Sequence, residues 1–185
     1  AVGVNSSCSI TTAQSNVSMG NNSLKLATTG SCNTAVGKDA GENTTTEANN
    51  HGFGFAACAS SATVSNQITL GNGSNDNLRC ADTSISSLSD LRDKENIEDI
   101  PHGLDYILAM RPVKFDWNTR DGTRIGKKDY GFIAQELDQV EETFGNKEYT
   151  RLVSKENPDK WEADPMKTYP ILIKAIQELK AEIDE

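Results

Sequence analysis

No stretch of about 18 apolar residues occurs in this chain, so no segment reads as a membrane-spanning helix and no membrane insertion is expected. The first residues show no basic-then-apolar leader, although Ala1 need not be the native start. Histidine is scarce: His51 and His102 are the only two, and neither lies beside a cysteine. The four cysteines, Cys8, Cys32, Cys58 and Cys80, form no C-x-x-C pair. That argues against a zinc site, so we expect no metal and no cofactor, and read the cysteines as reduced thiols. Positive charge is short as well. Eighteen Lys and Arg face 27 Asp and Glu, a formal net charge of −9. Such a balance disfavours nucleic acid and anionic membrane surfaces as partners. Apolar residues make up only 36% of the chain and aromatics 6%, which is thin for one compact core.

What is present is divided unevenly. Residues 1–80 hold three basic and four acidic side chains and are rich in Ser, Thr, Asn, Gly and Ala. Residues 81–185 hold the other 15 basic and 23 acidic side chains, both tryptophans and all four tyrosines. The polar first part has the composition of a disordered segment, but it repeats. Gly3, Gly20, Gly37, Gly54 and Gly71 are spaced 17 residues apart. Each follows an apolar residue: Val2, Met19, Val36, Phe53 and Leu70. A small residue stands two before the Gly and another three after it, and an amide leads the unit at Asn16, Asn33, Asn50 and Gln67. This register predicts an all-β solenoid, with the apolar residue of each turn pointing inward and Gly taking the bend. One such turn buries too little apolar surface to fold alone, so association of several chains is expected.

The units Asn16-Val-Ser-Met-Gly20-Asn-Asn-Ser23 and Asn33-Thr-Ala-Val-Gly37-Lys-Asp-Ala40 resemble the head repeat of trimeric adhesins, seen also in phage tail fibres. The resemblance covers about residues 1–76 and implies a trimeric β-roll. The period of 17 is longer than the usual unit, so loops should bulge outward.

After residue 80 comes a Ser- and Asp-rich junction, 81–88, and then Ser89-Asp90-Leu91-Arg92-Asp93-Lys94-Glu95-Asn96-Ile97. From the residues alone this is a helix start, with Ser89 as cap and Lys94 on the surface. The string S-D-x-R-x-K-x-N-I, however, resembles the opening motif of intramolecular chaperone domains (peptidase family S74) at the C-termini of endosialidases, tailspikes and tail fibres. Further blocks agree: Leu108-Ala-Met-Arg111-Pro112-Val-Lys-Phe-Asp-Trp117, Tyr130-Gly131-Phe-Ile-Ala-Gln135-Glu136, and Ile171 to Asp184. The resemblance spans about residues 84–185. It implies cleavage between Leu88 and Ser89, with Ser89 as nucleophile and Lys94 as its base.

The chemistry asks for such a pair, because a serine hydroxyl is a poor nucleophile without a base. Lysine serves only when neutral, so burial or a neighbouring cation must lower its pKa. Arg92 is a candidate cation, and Asp90 and Asp93 should point elsewhere; Asp90, Arg92 and Asn96 are the supporting candidates. On a continuous α-helix, residues five apart lie about 140° around the axis. Ser89 should therefore precede the helix, or Lys94 of one chain must serve Ser89 of another. In that second case cleavage would wait for assembly.

Residues 101–111 predict a short amphipathic helix with Leu104, Ile107 and Leu108 on one face. Val113, Phe115 and Trp117 predict a half-buried strand, and Ile125 with Tyr130–Ile133 a second. Ala134–Phe144 predicts a helix with Leu137 and Val140 inward; Gln135 and Glu136 read as surface or capping residues. The polar stretch 145–168 reads as a long loop, with Trp161 packed at a chain interface. The last segment, about 170–185, predicts a helix whose Leu172, Ile176, Leu179 and Ile183 are spaced 4, 3, 4, a coiled-coil-like seam for three chains.

The sequence thus predicts two domains and a junction: a β-roll shaft (1–80), the segment 81–88 ending at the scissile bond, and an α+β chaperone autoprotease (89–185) ending in a long helix. The whole would be an intertwined homotrimer. Its expected role is the C-terminal part of a viral tail fibre or spike, made in the host cytoplasm and residing in the virion. The chaperone domain would be released after cleavage, and the mature fibre would bind a host cell-surface receptor that the residues do not identify. The alternative is a structural trimerisation domain that does not cleave. A membrane-tethered transcription regulator fits poorly, given the adhesin-like repeats and the lack of a basic patch. A glycan depolymerase fits poorly too, since residues 1–80 carry no paired-carboxylate constellation.

Overall fold

The computed structural model describes residues 1–82 and 84–184. It is a mixed α/β structure that resolves into two compact units. The first comprises Ala1–Leu78 with the short segments Asn118–Ile125 and Glu156–Pro158; the second comprises the rest.

Four three-residue strands carry the first unit: β1 (Val17–Met19), β2 (Thr34–Val36), β3 (His51–Phe53) and β4 (Ile68–Leu70). They form one parallel sheet in chain order. Each residue faces its counterpart 17 later: Val17 meets Thr34, Thr34 meets His51, His51 meets Ile68. The connections stack in step with the strands. Thr11 N donates to Thr28 O at 2.9 Å and Thr28 N to Thr45 O at 2.8 Å; Leu24 N donates to Ala40 O and Gly41 N to Ala57 O, both at 3.0 Å.

The repeated amide ties each turn to the next. Asn16 Oδ1 accepts from Asn33 N at 2.8 Å, Asn33 Oδ1 from Asn50 N at 2.8 Å, and Asn50 Oδ1 from Gln67 N at 3.1 Å. Their side-chain amides donate to Gly30 O, Glu47 O and Val64 O at 2.8, 2.9 and 2.7 Å. One side chain thereby satisfies a donor of the next turn and a carbonyl 14 residues on, where water does not reach. Gln67 is one methylene longer and instead folds back on Ser60. The repeated Gly is equally constrained. Gly37 has φ +135°, and a Cβ there would lie 2.3 Å from Gly54 O.

The inward and outward sides are the reverse of the expectation. The middle residue of each strand points in: Ser18, Ala35 and Gly52 are buried, Ala35 completely. Met19, Phe53 and Leu70 point out, Phe53 being 42% exposed. Strand neighbours alternate sides, so only one of the small and apolar pair can face inward. The interior there, shared by Leu24, Ala27, Ala35 and Ala40, has room for a methyl group but not for a Phe.

The second unit is held by Tyr106, Met110, Leu137, Val140, Leu152 and Ile171. Helix α1 (Leu104–Ala109) is followed by an antiparallel hairpin of β5 (Val113–Asp116) and β6 (Lys128–Gly131). Helix α2 (Ala134–Phe144) ends at Gly145, whose left-handed φ of 66° stops it. As expected, Leu137 and Val140 face inward. In α1 the buried residue is Tyr106 rather than Leu108, which is exposed, because Tyr106 packs on Phe144.

The stretch 145–168 is not a plain loop. It holds α3 (Lys147–Thr150), a two-residue pairing of β7 (Val153–Ser154) with β8 (Glu162–Ala163), and a 3-10 turn at Pro165–Thr168. Buried Glu141 organises it by accepting from Thr150 Oγ1 and from Leu152 N, the latter at 2.7 Å. Lys155 lies over the Trp161 ring at 4.6 Å.

Helix α4 (Tyr169–Asp184) closes the second unit; Glu185, expected as its last residue, lies outside the described residues. One face, Ile171 and Ala175, is buried, and Glu178 accepts from Leu104 N at 2.6 Å to cap α1. The seam residues Leu172, Ile176, Leu179 and Ile183 lie on another face and are exposed, Ile176 by 65% and Ile183 by 78%.

Candidate active site

The segment that carries Ser89 has almost no packing to shape it. Leu88 is 82% exposed and Leu91 71%. A single 3-10 turn, Leu91–Asp93, follows, and none of its residues is buried. The local sequence forms this turn through Asp90. Its backbone is extended (φ −69°, ψ 138°) and its carboxylate accepts from Arg92 N at 2.9 Å, as an N-cap does. Ser89 is therefore not the cap predicted from composition. The shorter-reaching hydroxyl stays one residue outside the turn, while Asp90 holds a second bond that Ser could not make. Arg92 Nε and Nη2 grip its two oxygens at 3.0 and 2.7 Å.

The turn closes with Asp93 N donating to Asp90 O and Lys94 N to Leu91 O, both at 3.2 Å. Lys94 then leaves in extended conformation. Its ammonium reaches back to donate to Ser89 Oγ at 2.7 Å, within one chain. Five residues of extended chain would span about 16 Å, so the turn is what makes this contact. Asn96 takes a left-handed φ of 52°, which Asn tolerates better than most residues, and joins neither pair among the described residues.

The guanidinium of Arg92 and its backbone N–H hold the Asp90 carboxyl below the usual carboxylate range, and Asp90 raises Arg92 in return. Arg92 is thus tied to a carboxylate and is not the free neighbouring cation the sequence offered. Asp90 points at Arg92, as required. Ser89 and Lys94 are both exposed. An ammonium donating to the hydroxyl is the resting arrangement of such a pair; to accept the serine proton, the lysine must first lose its own.

Two contacts had no signal in the sequence. Arg111 pairs with Glu136, Nε to Oε2 at 3.0 Å, joining the blocks Leu108–Trp117 and Tyr130–Glu136. Arg111 also holds the Glu136 carboxyl below its ordinary range. Glu136, expected in a surface or capping role, is thus held in an ion pair. The Glu178 cap on α1 bridges 74 residues, and local spacing carries no trace of it. Among the described residues no group of three His, Cys, Asp or Glu is placed to hold a metal, and no helix is long and apolar enough to cross a membrane. The four cysteines form no disulfide.

Residues 89–146 match the Peptidase_S74 family, described as chaperone of endosialidase. The match begins on Ser89 itself and ends one residue beyond the Gly145 cap of α2. The family's name marks it as one of peptidases. No curated protein and no solved structure matches the chain.

Proposed function

We propose that this chain is the C-terminal part of a phage tail fibre or spike, whose chaperone domain trimerises the fibre and then cuts itself free between Leu88 and Ser89. The carrying observation is the 2.7 Å contact of Lys94 Nζ with Ser89 Oγ at the first residue of the matched domain. In the proposed reaction, neutral Lys94 takes the hydroxyl proton while Ser89 Oγ attacks the Leu88 carbonyl carbon. The C–N bond then breaks, its nitrogen takes a proton, and Leu88 is left as an ester on Ser89. Water hydrolyses that ester to a Leu88 carboxylate and a free Ser89 hydroxyl. Attack by Ser89 of a second chain gives the same products.

Residues 1–80 are proposed as a trimeric β-roll, supported by the 17-residue parallel ladder and by its outward Met19, Phe53 and Leu70. The α4 seam, with Leu172, Ile176, Leu179 and Ile183 exposed, supports a three-helix association. The mature fibre would serve host attachment in the virion.

A denaturing gel of purified wild type, Ser89→Ala and Lys94→Ala tests the cleavage. Wild type should give fragments 1–88 and 89–185, and both variants a single uncut band. An uncut wild type would leave the second reading, a trimerisation domain that stays attached, which the exposure of both dyad residues favours.

A further inference from the structure

We propose that Asp90 is the positioning residue of the cleavage site, acting on Ser89 and Lys94 through the turn it closes rather than by touching reacting atoms; this rests on the Ser89–Lys94 reading above. The turn has only three residues, and no apolar packing fixes it, since Leu91 is 71% exposed. Its conformation therefore depends on local polar contacts, and Asp90 supplies most of them. Its carboxylate caps Arg92 N, its carbonyl accepts from Asp93 N, and its two oxygens hold the Arg92 fork.

Lys94 depends on that closure. Its N–H bonds to Leu91 O as the turn ends, and its side chain then runs back to Ser89. Without the cap, Asp90 to Lys94 lose the constraint that sets this distance, and the pair spends most of its time apart. A reacting pair held at contact distance gains heavily over one that must find it. The bidentate Arg92 adds a second role. It faces Asp90 squarely, so that carboxylate is turned from the lysine that must give up its proton.

The test is the rate of self-cleavage of the full chain on refolding at one concentration, followed on denaturing gels. Assembly is read from a sizing column in the same samples. Asp90→Ala should cut about tenfold more slowly while still assembling. Asp90→Asn keeps an oxygen to cap Arg92 N and should recover most of the rate. That rescue separates positioning from a general loss of stability. If Asp90→Ala does not assemble, Arg92→Ala decides: it spares the cap, removes the fork, and should slow cutting about threefold. A wild-type rate in Asp90→Ala, or in Arg92→Ala where that variant decides, would overturn the proposal. So would an Asp90→Asn as slow as Asp90→Ala. Ser89→Ala runs alongside. If it cuts like wild type, the dyad reading is what fails, whatever the Asp90 variants do.

Discussion

Glu47 shows how much a single side chain does in a ladder with few apolar contacts. Its Oε2 accepts from Thr45 N and Oγ1, both at 3.0 Å, and from Thr46 N at 2.9 Å; its Oε1 accepts from Thr46 Oγ1 at 2.8 Å. Partial burial is the largest single influence on this carboxyl and raises its pKa, but the hydrogen bonds from Thr45 and Thr46 together outweigh it and bring it down to about 2. A depressed carboxyl stabilises the fold fully above its unfolded value of 4.5, and that stabilisation is lost as pH falls through the folded value of about 2. One pKa unit is worth about 1.4 kcal/mol, and solvent screening reduces the net to about 1–2 kcal/mol. Glu47→Gln should therefore lower the urea midpoint of the full chain at pH 6 and have little effect at pH 2. Equal shifts at both pH values would count against the assignment.

Among the elements, the helices were the most legible. The bounds of α2 agree with its hydrophobic spacing and the following Gly145, and α4 begins within a residue of its expected start. The strands' register was legible from the glycines, but their sidedness was not. Spacing says where Met19 and Ser18 stand, whereas the narrowness of the interior, made by residues of other turns, says which of them fits. The small elements between 147 and 163 were invisible for a similar reason. They are two to four residues long and hang on Glu141, whose partners lie 9 and 11 residues away. At the site, the family motif pointed to Ser89 and Lys94, but the division of labour between Ser89 and Asp90 was not readable. Both are good caps, and only the Arg92 fork distinguishes them.

Helix α4 uses two faces, one for its own unit and one left exposed. Ile176→Asp alters only the exposed face, so the variant should keep its helical circular dichroism and lose the trimer on a sizing column. A trimeric variant would exclude α4 as the association seam.

For the whole molecule, the proposed cleavage raises the question of when it would begin. The Ser89–Lys94 contact is made within one chain, so assembly is not needed to bring the two residues together. Burial is what the single chain lacks: both side chains are exposed, and desolvation is the ordinary route to a neutral lysine. We expect the fraction of chains cut at a fixed time to fall as refolding chains are diluted, with uncut monomers accumulating. Efficient cutting by monomers would show that the dyad needs no cover. A chaperone that cuts only after assembly would relieve the ordering entropy of an intertwined fold and leave the shaft held by its slow unfolding.

The ladder also constrains how such a chain can change in length. Strand pairing, the asparagine bonds and the stacked connections all advance by the same 17 residues. Removing residues 34–50 as a block would join Asn33 to His51 and bring each surviving turn against a neighbour of the same pattern. Removing 16 residues instead would leave the two turns that meet at the cut one residue out of register, so that facing strand residues there point to opposite sides and the asparagine at the cut misses its partner. Ladders built on this plan can therefore grow or shrink only by whole turns, so their lengths among relatives should differ in discrete steps.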